Sequence, residues 1–229
     1  MAKEKVVNLL FLSQGVASLD RSETTEHVHL LAALNYYSRI RFITNLLPLI
    51  RGSRTLRRVV SVGGGGHEGP IDASDLPALR VPLPELRGHL TTLVTLGLEA
   101  VAASAPEVSF VHDYPGTVRT RITSHLPEEV LKTLVFVPID EVGDRHLYLA
   151  TSARYPSATG EGDAVPLGEQ VGVALGTDGV AGGGLYSVAS DCEGTAQGVR
   201  DLLAGLKDRR LVDVVWAHTE TEFKRITGD

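Results

Sequence analysis

Val6-Val7-Asn8-Leu9-Leu10-Phe11-Leu12, followed by Ser13-Gln14-Gly15, is the stretch on which the fold turns. Apart from Asn8 the run is apolar at odd and even positions alike. Side chains alternate across a strand, so this run predicts a strand buried on both faces. That is the habit of a central strand in a parallel sheet rather than of an edge. Ser13-Gln14-Gly15 is then the loop at its carboxyl end.

The pattern continues outward as strand and helix in alternation. Residues 22–25 offer helix caps, and a long helix is predicted from there to about residue 50, with Val28, Leu31, Ile40, Ile43 and Leu46 along one broad face. Residues 57–62 read as a second strand ending in Gly63-Gly64-Gly65-Gly66, and residues 67–86, rich in Pro and Asp, as a loop. Helix resumes near Pro84 and carries Leu90, Leu93, Leu96 and Val101. Residues 108–111 are a third strand, ending in His112-Asp113-Tyr114-Pro115-Gly116. Beyond it, residues 127–136 and 140–153 look helical, 155–184 loop-rich, 185–188 a last strand, and 195–207 and 212–226 two closing helices. Strands joined by helices at this spacing give right-handed crossovers and a parallel sheet. The expected fold is α/β, a Rossmann-like parallel sheet with flanking helices. No internal repeat or linker interrupts it, so residues 1–229 read as one domain.

Composition narrows the function. The 229 residues are 43% hydrophobic and 22% charged, with a formal net charge of -6 and only five lysines. A mildly acidic chain without a basic stripe argues against nucleic acid and against an anionic membrane surface as partners. No apolar run approaches a membrane span. The charged N-terminus leads into too short an apolar run, with too poor a cleavage site, for a signal peptide. Cys192 is the sole cysteine, which excludes an intrachain disulfide and fits a cytoplasmic setting.

Ligands of parallel α/β sheets bind beyond the carboxyl ends of the strands. Those ends are Ser13-Gln14, Gly63 to Glu68 and His112 to Gly116. His112 and Asp113 are candidates for an acid or base, with one of the two facing the pocket, and His67 or Glu68 is the candidate partner. Asn35, polar within an apolar helix face, and Tyr37 are candidate orienting groups. Ser13, Gln14, His89 and Tyr114 complete the expected substrate-binding set. Arg39 and Arg41 alternate with Ile40 and Phe42 and read as solvent-facing or salt-bridged. No metal site is expected: His27 and His29 do not share a helix face, and His218 with Glu222 lacks a third ligand.

At these residues the chain resembles the short-chain dehydrogenase/reductase superfamily, particularly its fungal members. Ser13-Gln14-Gly15 resembles the end of the family's fourth strand. Leu34-Asn35-Tyr36-Tyr37 and Leu46-Leu47-Pro48-Leu49 resemble its Asn-containing helix and that helix's exit, and Arg58 to Val62 resembles the fifth strand. Phe110 to Thr120, with Pro115-Gly116-Thr117-Val118-Arg119-Thr120, resembles the sixth strand and its turn. Gly143 to Ser152 and Gly184-Leu185-Tyr186-Ser187 fit the same group. The resemblance implies a domain truncated at its N-terminal side, without the Gly-x-x-x-Gly-x-Gly loop that seats a dinucleotide pyrophosphate. The Gly63 to Gly66 run leads into a loop instead of a helix and reads as a turn. None of the six tyrosines has a lysine four residues later, and no lysine occurs between Lys5 and Lys132. The family's proton-delivering pair is therefore absent from the sequence.

Three functions follow as expectations. The leading one is a cofactor-independent cyclase or isomerase of a small hydrophobic natural product in fungal secondary metabolism. The second is an NAD(P)-dependent short-chain oxidoreductase completed by a missing N-terminal half or a partner. The third is a non-catalytic pseudoenzyme or partner protein. An exposed edge on the strand at residues 6–12 would invite pairing, so a homodimer or larger assembly is expected.

Overall fold

Four short strands sort almost every buried group of the molecule onto one face of a sheet or the other. The computed structural model describes residues 4–16, 18, 21–124 and 126–228. In chain order the elements are β1 (Leu9–Leu12), α1 (Leu30–Ala32), a π-helical turn (Ala33–Tyr37), α2 (Ser38–Arg51), β2 (Arg58–Val62) and α3 (Leu83–Ser104). They continue with β3 (Ser109–Asp113), β4 (Thr117–Val118), α4 (Glu128–Leu131), β5 (Phe136–Val137), α5 (Ile139–Thr151), β6 (Leu185–Val188), α6 (Gln197–Asp208) and α7 (Leu211–Thr227). The main sheet is parallel throughout, in the order β1-β2-β3-β6, and β4 and β5 form a separate parallel pair. This is the Rossmann-like α/β architecture expected from the sequence.

Alternation puts Val59, Phe110 and Leu185 on the face covered by α2, α3 and α7, and Val60, Val111 and Tyr186 on the face covered by α5 and the segment after it. α3 is buried around most of its circumference, with Leu93 and Leu96 at 0% exposure, because it lies between the sheet and α7. Burying each such leucine contributes about 1.5–3 kcal/mol. Gly97 sets its closest approach: a Cβ there would stand 2.5 Å from Tyr36 Cε2 of the π turn. On the opposite face, buried Arg58 donates to the carbonyls of Leu149 (3.0 Å), Ser152 (2.9 Å) and Tyr155 (2.5 Å), tying β2 to the end of α5.

Three sequence expectations change. β1 is an edge strand, not a central one, and Leu9 and Phe11 are 36% and 37% exposed. Apolar alternation reports what lies above and below a strand, not what lies beside it. The first helix begins at Leu30 instead of at residues 22–25. There the chain forms a turn closed by Thr24 N–H to Val28 O (2.9 Å) and Leu30 N–H to Ser22 O (2.8 Å). The cap is His29, whose Nδ1 accepts from Leu31 N–H at 3.1 Å, a role that sequence rules assign to Ser, Thr, Asp or Asn. Residues 127–136 are helical only over α4, and Phe136–Val137 pairs with Thr117–Val118 instead.

Candidate functional site

Strand register creates a polar row near the carboxyl end of the sheet. Ser61 of β2, His112 of β3 and Ser187 of β6 are neighbours in register, so all three point to the α3 face. Each is buried and each is met by a polar group from outside the sheet. Arg39 Nη1 donates to Ser61 Oγ at 2.9 Å. Thr95 Oγ1 of α3 lies 2.8 Å from His112 Nδ1 and donates to Glu68 Oε1 at 2.7 Å. Ser187 Oγ donates to the same carboxylate oxygen at 2.5 Å and accepts from Gly66 N–H at 2.7 Å.

This network assigns the imidazole tautomer. Gly64 N–H points at His112 Nε2 at 3.3 Å, so Nε2 is the acceptor and the proton sits on Nδ1, donated to Thr95. A continuous chain thus runs from Gly64 through His112 and Thr95 to Glu68. Burial, with the positive charge of Arg39 as a smaller contribution, pushes the His112 pKa down to about 3, so the ring is neutral. Burial raises the Glu68 carboxyl above its ordinary range, against the opposing pull of its Ser187 and Thr95 hydrogen bonds. Glu68 Oε2 has no partner among the described residues.

Beside this row lies a cavity of about 290 Å³. One wall comes from Leu31, Asn35 and Arg39, a second from Leu86, Leu90, Thr91 and Val94 of α3, and the floor from Gly63, Gly64 and His112. An apolar cavity with a few convergent polar groups at the carboxyl ends of parallel strands is a small-molecule site in form. The π turn places Asn35 on the cavity while Tyr36 and Tyr37 dock onto α7. Tyr36 hydroxyl meets Thr219, and Tyr37 hydroxyl lies 2.6 Å from His218 Nε2. Wide π turns of this kind recur at functional sites.

Of the candidates from sequence, His112 and Asn35 line the cavity, and Glu68 joins it through Thr95. Asp113 does not line it. It projects from the opposite face, where its Oδ2 pairs with His146 Nε2 at 2.9 Å and burial raises its pKa against that pairing. Tyr37 faces α7. His89 holds the loop before α3, its Nδ1 accepting from Asp72 N–H at 3.2 Å and its Nε2 lying 3.4 Å from Leu76 O. Ser13 is exposed, and Gln14 spends its side chain on Ser38 (3.2 Å) and its carbonyl on Arg39 (2.6 Å). His67 and Tyr114 stack edge to face, ring centroids 4.6 Å apart, and the Arg87 guanidinium sits 4.8 Å from the Tyr114 ring centre. Burial and then Arg87 lower the His67 pKa.

Sequence reasoning missed Arg39, Arg87, Thr91, Thr95 and Ser187. Arg39, read as solvent-facing or salt-bridged, is 3% exposed and has no acidic partner among the described residues. The available signal was its spacing, because Asn35 and Arg39 lie four apart on one helix. Ser187 and Thr95 carry no signal of their own, since hydroxyls are ordinary in strands and helices.

No family model matches the chain. The chain is 38% identical over 237 residues to Oxidoreductase AN1596 of Emericella nidulans, covering 96% of this chain and 69% of the relative. It is 32% identical over 238 residues to Oxidoreductase andH of Emericella variicolor, covering 99% and 70%. It is also 32% identical over 198 residues to the short-chain dehydrogenase/reductase SAT2 of Stachybotrys chartarum, covering 80% and 55%. Among solved structures, an uncharacterized protein from Mycobacterium paratuberculosis superposes over 97% of this chain and 69% of its own, with a TM-score of 0.50 at 18% identity, a likeness of fold alone. The relatives are named for oxidoreduction, and they overturn the expectation of a cofactor-independent cyclase or isomerase.

Proposed function

Because the chain belongs to the short-chain dehydrogenase/reductase-like oxidoreductases of fungi, we propose that it serves NAD(P)-dependent oxidation or reduction of a small organic substrate and supplies the substrate side of the site. The observation that carries this reading is the cavity of about 290 Å³ over Gly63, Gly64 and His112, with Asn35 presented by a π turn. Leu31, Leu86, Leu90 and Val94 exclude water from the substrate body. Asn35 and Thr91 offer hydrogen bonds that orient it. Neutral His112, held by Gly64 and Thr95, fixes the floor.

The family implies a nicotinamide dinucleotide, and the described residues do not fit one. A phosphate cradle needs glycines whose faces are open to the ligand. Here a Cβ on Gly64 would meet Thr91 Oγ1 at 2.2 Å and one on Gly65 would meet His112 O at 2.1 Å, so protein already occupies that space. Among the described residues no lysine or tyrosine lines the cavity. The open edge of β1 favours a dinucleotide side supplied by a polypeptide paired along that edge, within an oligomer.

Solution mass measured together with NADPH and NADH calorimetry and absorbance at 340 nm in the presence of carbonyl compounds tests this. The expected result is an assembly larger than a monomer that binds a nicotinamide and consumes it. A folded protein that neither binds nor turns over either nicotinamide in any assembly state overturns the proposal.

A further inference from the structure

The cavity is electropositive in a chain that is not. Acidic residues outnumber Lys and Arg by 28 to 22 overall, yet the charged side chains lining the cavity are Arg39 and Arg87, and among the described residues no carboxylate lines it. Arg39 is 3% exposed. Its guanidinium meets neutral acceptors: Ser61 Oγ at 2.9 Å, Val62 O at 2.5 Å, Gln14 O at 2.6 Å and Asn35 Oδ1 at 3.4 Å. Its Nε is buried and has no partner among the described residues. Arg87 is exposed at the rim, held over the Tyr114 ring, and forms no ion pair among the described residues.

A buried cation without a counter-ion is costly to maintain beside apolar walls, and an anion entering that space removes the cost. The four Nη hydrogens of Arg39 are already spent on those acceptors, so it answers an anion through its charge and not through a bidentate fork. The rest of the lining is Leu31, Leu86, Leu90 and Val94, which suits a hydrocarbon or aromatic body. We propose that the cavity takes a small apolar organic acid as its carboxylate anion, with Arg39 at the buried end neutralising the charge and Arg87 at the rim drawing it in. Burial is the main cause that lowers the pKa of His112, and the charge of Arg39 lowers it further. This inference names the substrate class of the proposed redox site and rests on that reading only in calling the bound acid a substrate.

The test is calorimetric titration of the full chain with octanoate and 3-phenylpropionate, each beside its uncharged amide. Each acid should bind roughly tenfold more tightly than its amide, the factor that a hydrogen-bonded charge contributes. Arg87→Gln should weaken the acids about threefold to tenfold and leave the amides unchanged. Arg39→Gln, which removes the charge, should cut the preference for acid over amide while circular dichroism stays native. Arg209→Gln, remote from the cavity, should change neither. Equal binding of acid and amide, no binding of any probe, or an acid preference insensitive to Arg87→Gln overturns the inference. Failure of the redox proposal is separable: tight acid binding without nicotinamide turnover sinks that reading and leaves the anion site standing.

Discussion

Arg39 and Arg58 serve opposite faces of one sheet, at 3% and 2% exposure, and both donate to backbone carbonyls, Arg39 also to Ser61 Oγ and Asn35 Oδ1. Their acceptors differ in origin. Two of the three carbonyls held by Arg58 come from the last turn of α5 and the residue after it, where unpaired carbonyls and the helix dipole concentrate negative potential. Arg58 is thus a helix-terminating clamp whose charge is answered locally. Arg39 takes carbonyls from loop and strand ends and borders open space. Both faces keep some room: Arg39 lines the cavity over Gly63 and His112, and Arg58 lines a second one of about 360 Å³ edged by Arg57, Ser109 and Ser157. Burial alone therefore does not distinguish a structural arginine from a ligand-facing one. The origin of the acceptors does.

The two faces should separate most widely in their pH dependence. His112 on the cavity face has an ordinary value of 6.5 and is pushed down to about 3 when folded. The unfolded chain binds the extra proton first, so stability falls as pH drops from about 6.5 toward about 3. Asp113, next in sequence but on the other face, is raised on folding, as is Glu68. Their contribution is fully present below the ordinary carboxylate pKa and is lost as pH rises through the raised value. Urea unfolding of His112→Gln across pH 4 to 7 should show a flatter acid limb than the parent, and Asp113→Asn should not. Parallel limbs in all three proteins would erase the distinction.

A second contrast is in cost. Arg58→Met strands the buried carbonyls of Leu149 and Ser152, while Tyr155 O keeps its bond from Ser109 Oγ at 2.7 Å, and should lose about 3 kcal/mol. Arg39→Met leaves its carbonyls beside a cavity that water can enter, and should lose only about 1–2 kcal/mol. Equal losses in urea unfolding would mean that Arg39 is a clamp as well. Gly97→Ala probes the packing that carries the π turn. The added methyl at 2.5 Å from Tyr36 Cε2 should cost about 1–3 kcal/mol, with Tyr36 displaced from Thr219. The smallest effect is expected for Tyr36→Phe, which removes one buried hydrogen bond and should cost about 1 kcal/mol in the same assay.

The parallel sheet was legible because Val59-Val60 and Phe110-Val111 are apolar on both faces and glycine or Pro-Gly follows at each strand end. The edge position of β1 was not, since neighbours in the hydrogen-bonding direction leave no trace in side-chain pattern. Asn35 was visible as a polar residue inside an apolar helix face. Its π turn was not, because Leu34 to Tyr37 has no composition that distinguishes it from α-helix. His112 and Asp113 were visible as a pair at a strand end, but which of them faces the cavity depends on register. The first helix was misplaced because Ser22 to Thr25 is a good capping sequence and an imidazole did the capping. The chemistry was read through what is missing from the residues, and the relatives point to oxidoreduction instead.

The in-register row of Ser61, His112 and Ser187 makes the cavity unusually sensitive to one kind of genetic change. Substitutions at any single position alter one group. A one-residue insertion or deletion that slides β3 along its neighbours exchanges the two faces of that strand. It would withdraw the neutral imidazole, bring the Asp113 carboxylate up to Arg39, and fill the space meant for an anion with the protein's own. The sign of the charge that this site accepts is thus written in the length of the connection at residues 105–108 as firmly as in any side chain, and drift in that length would change ligand choice without touching a lining residue.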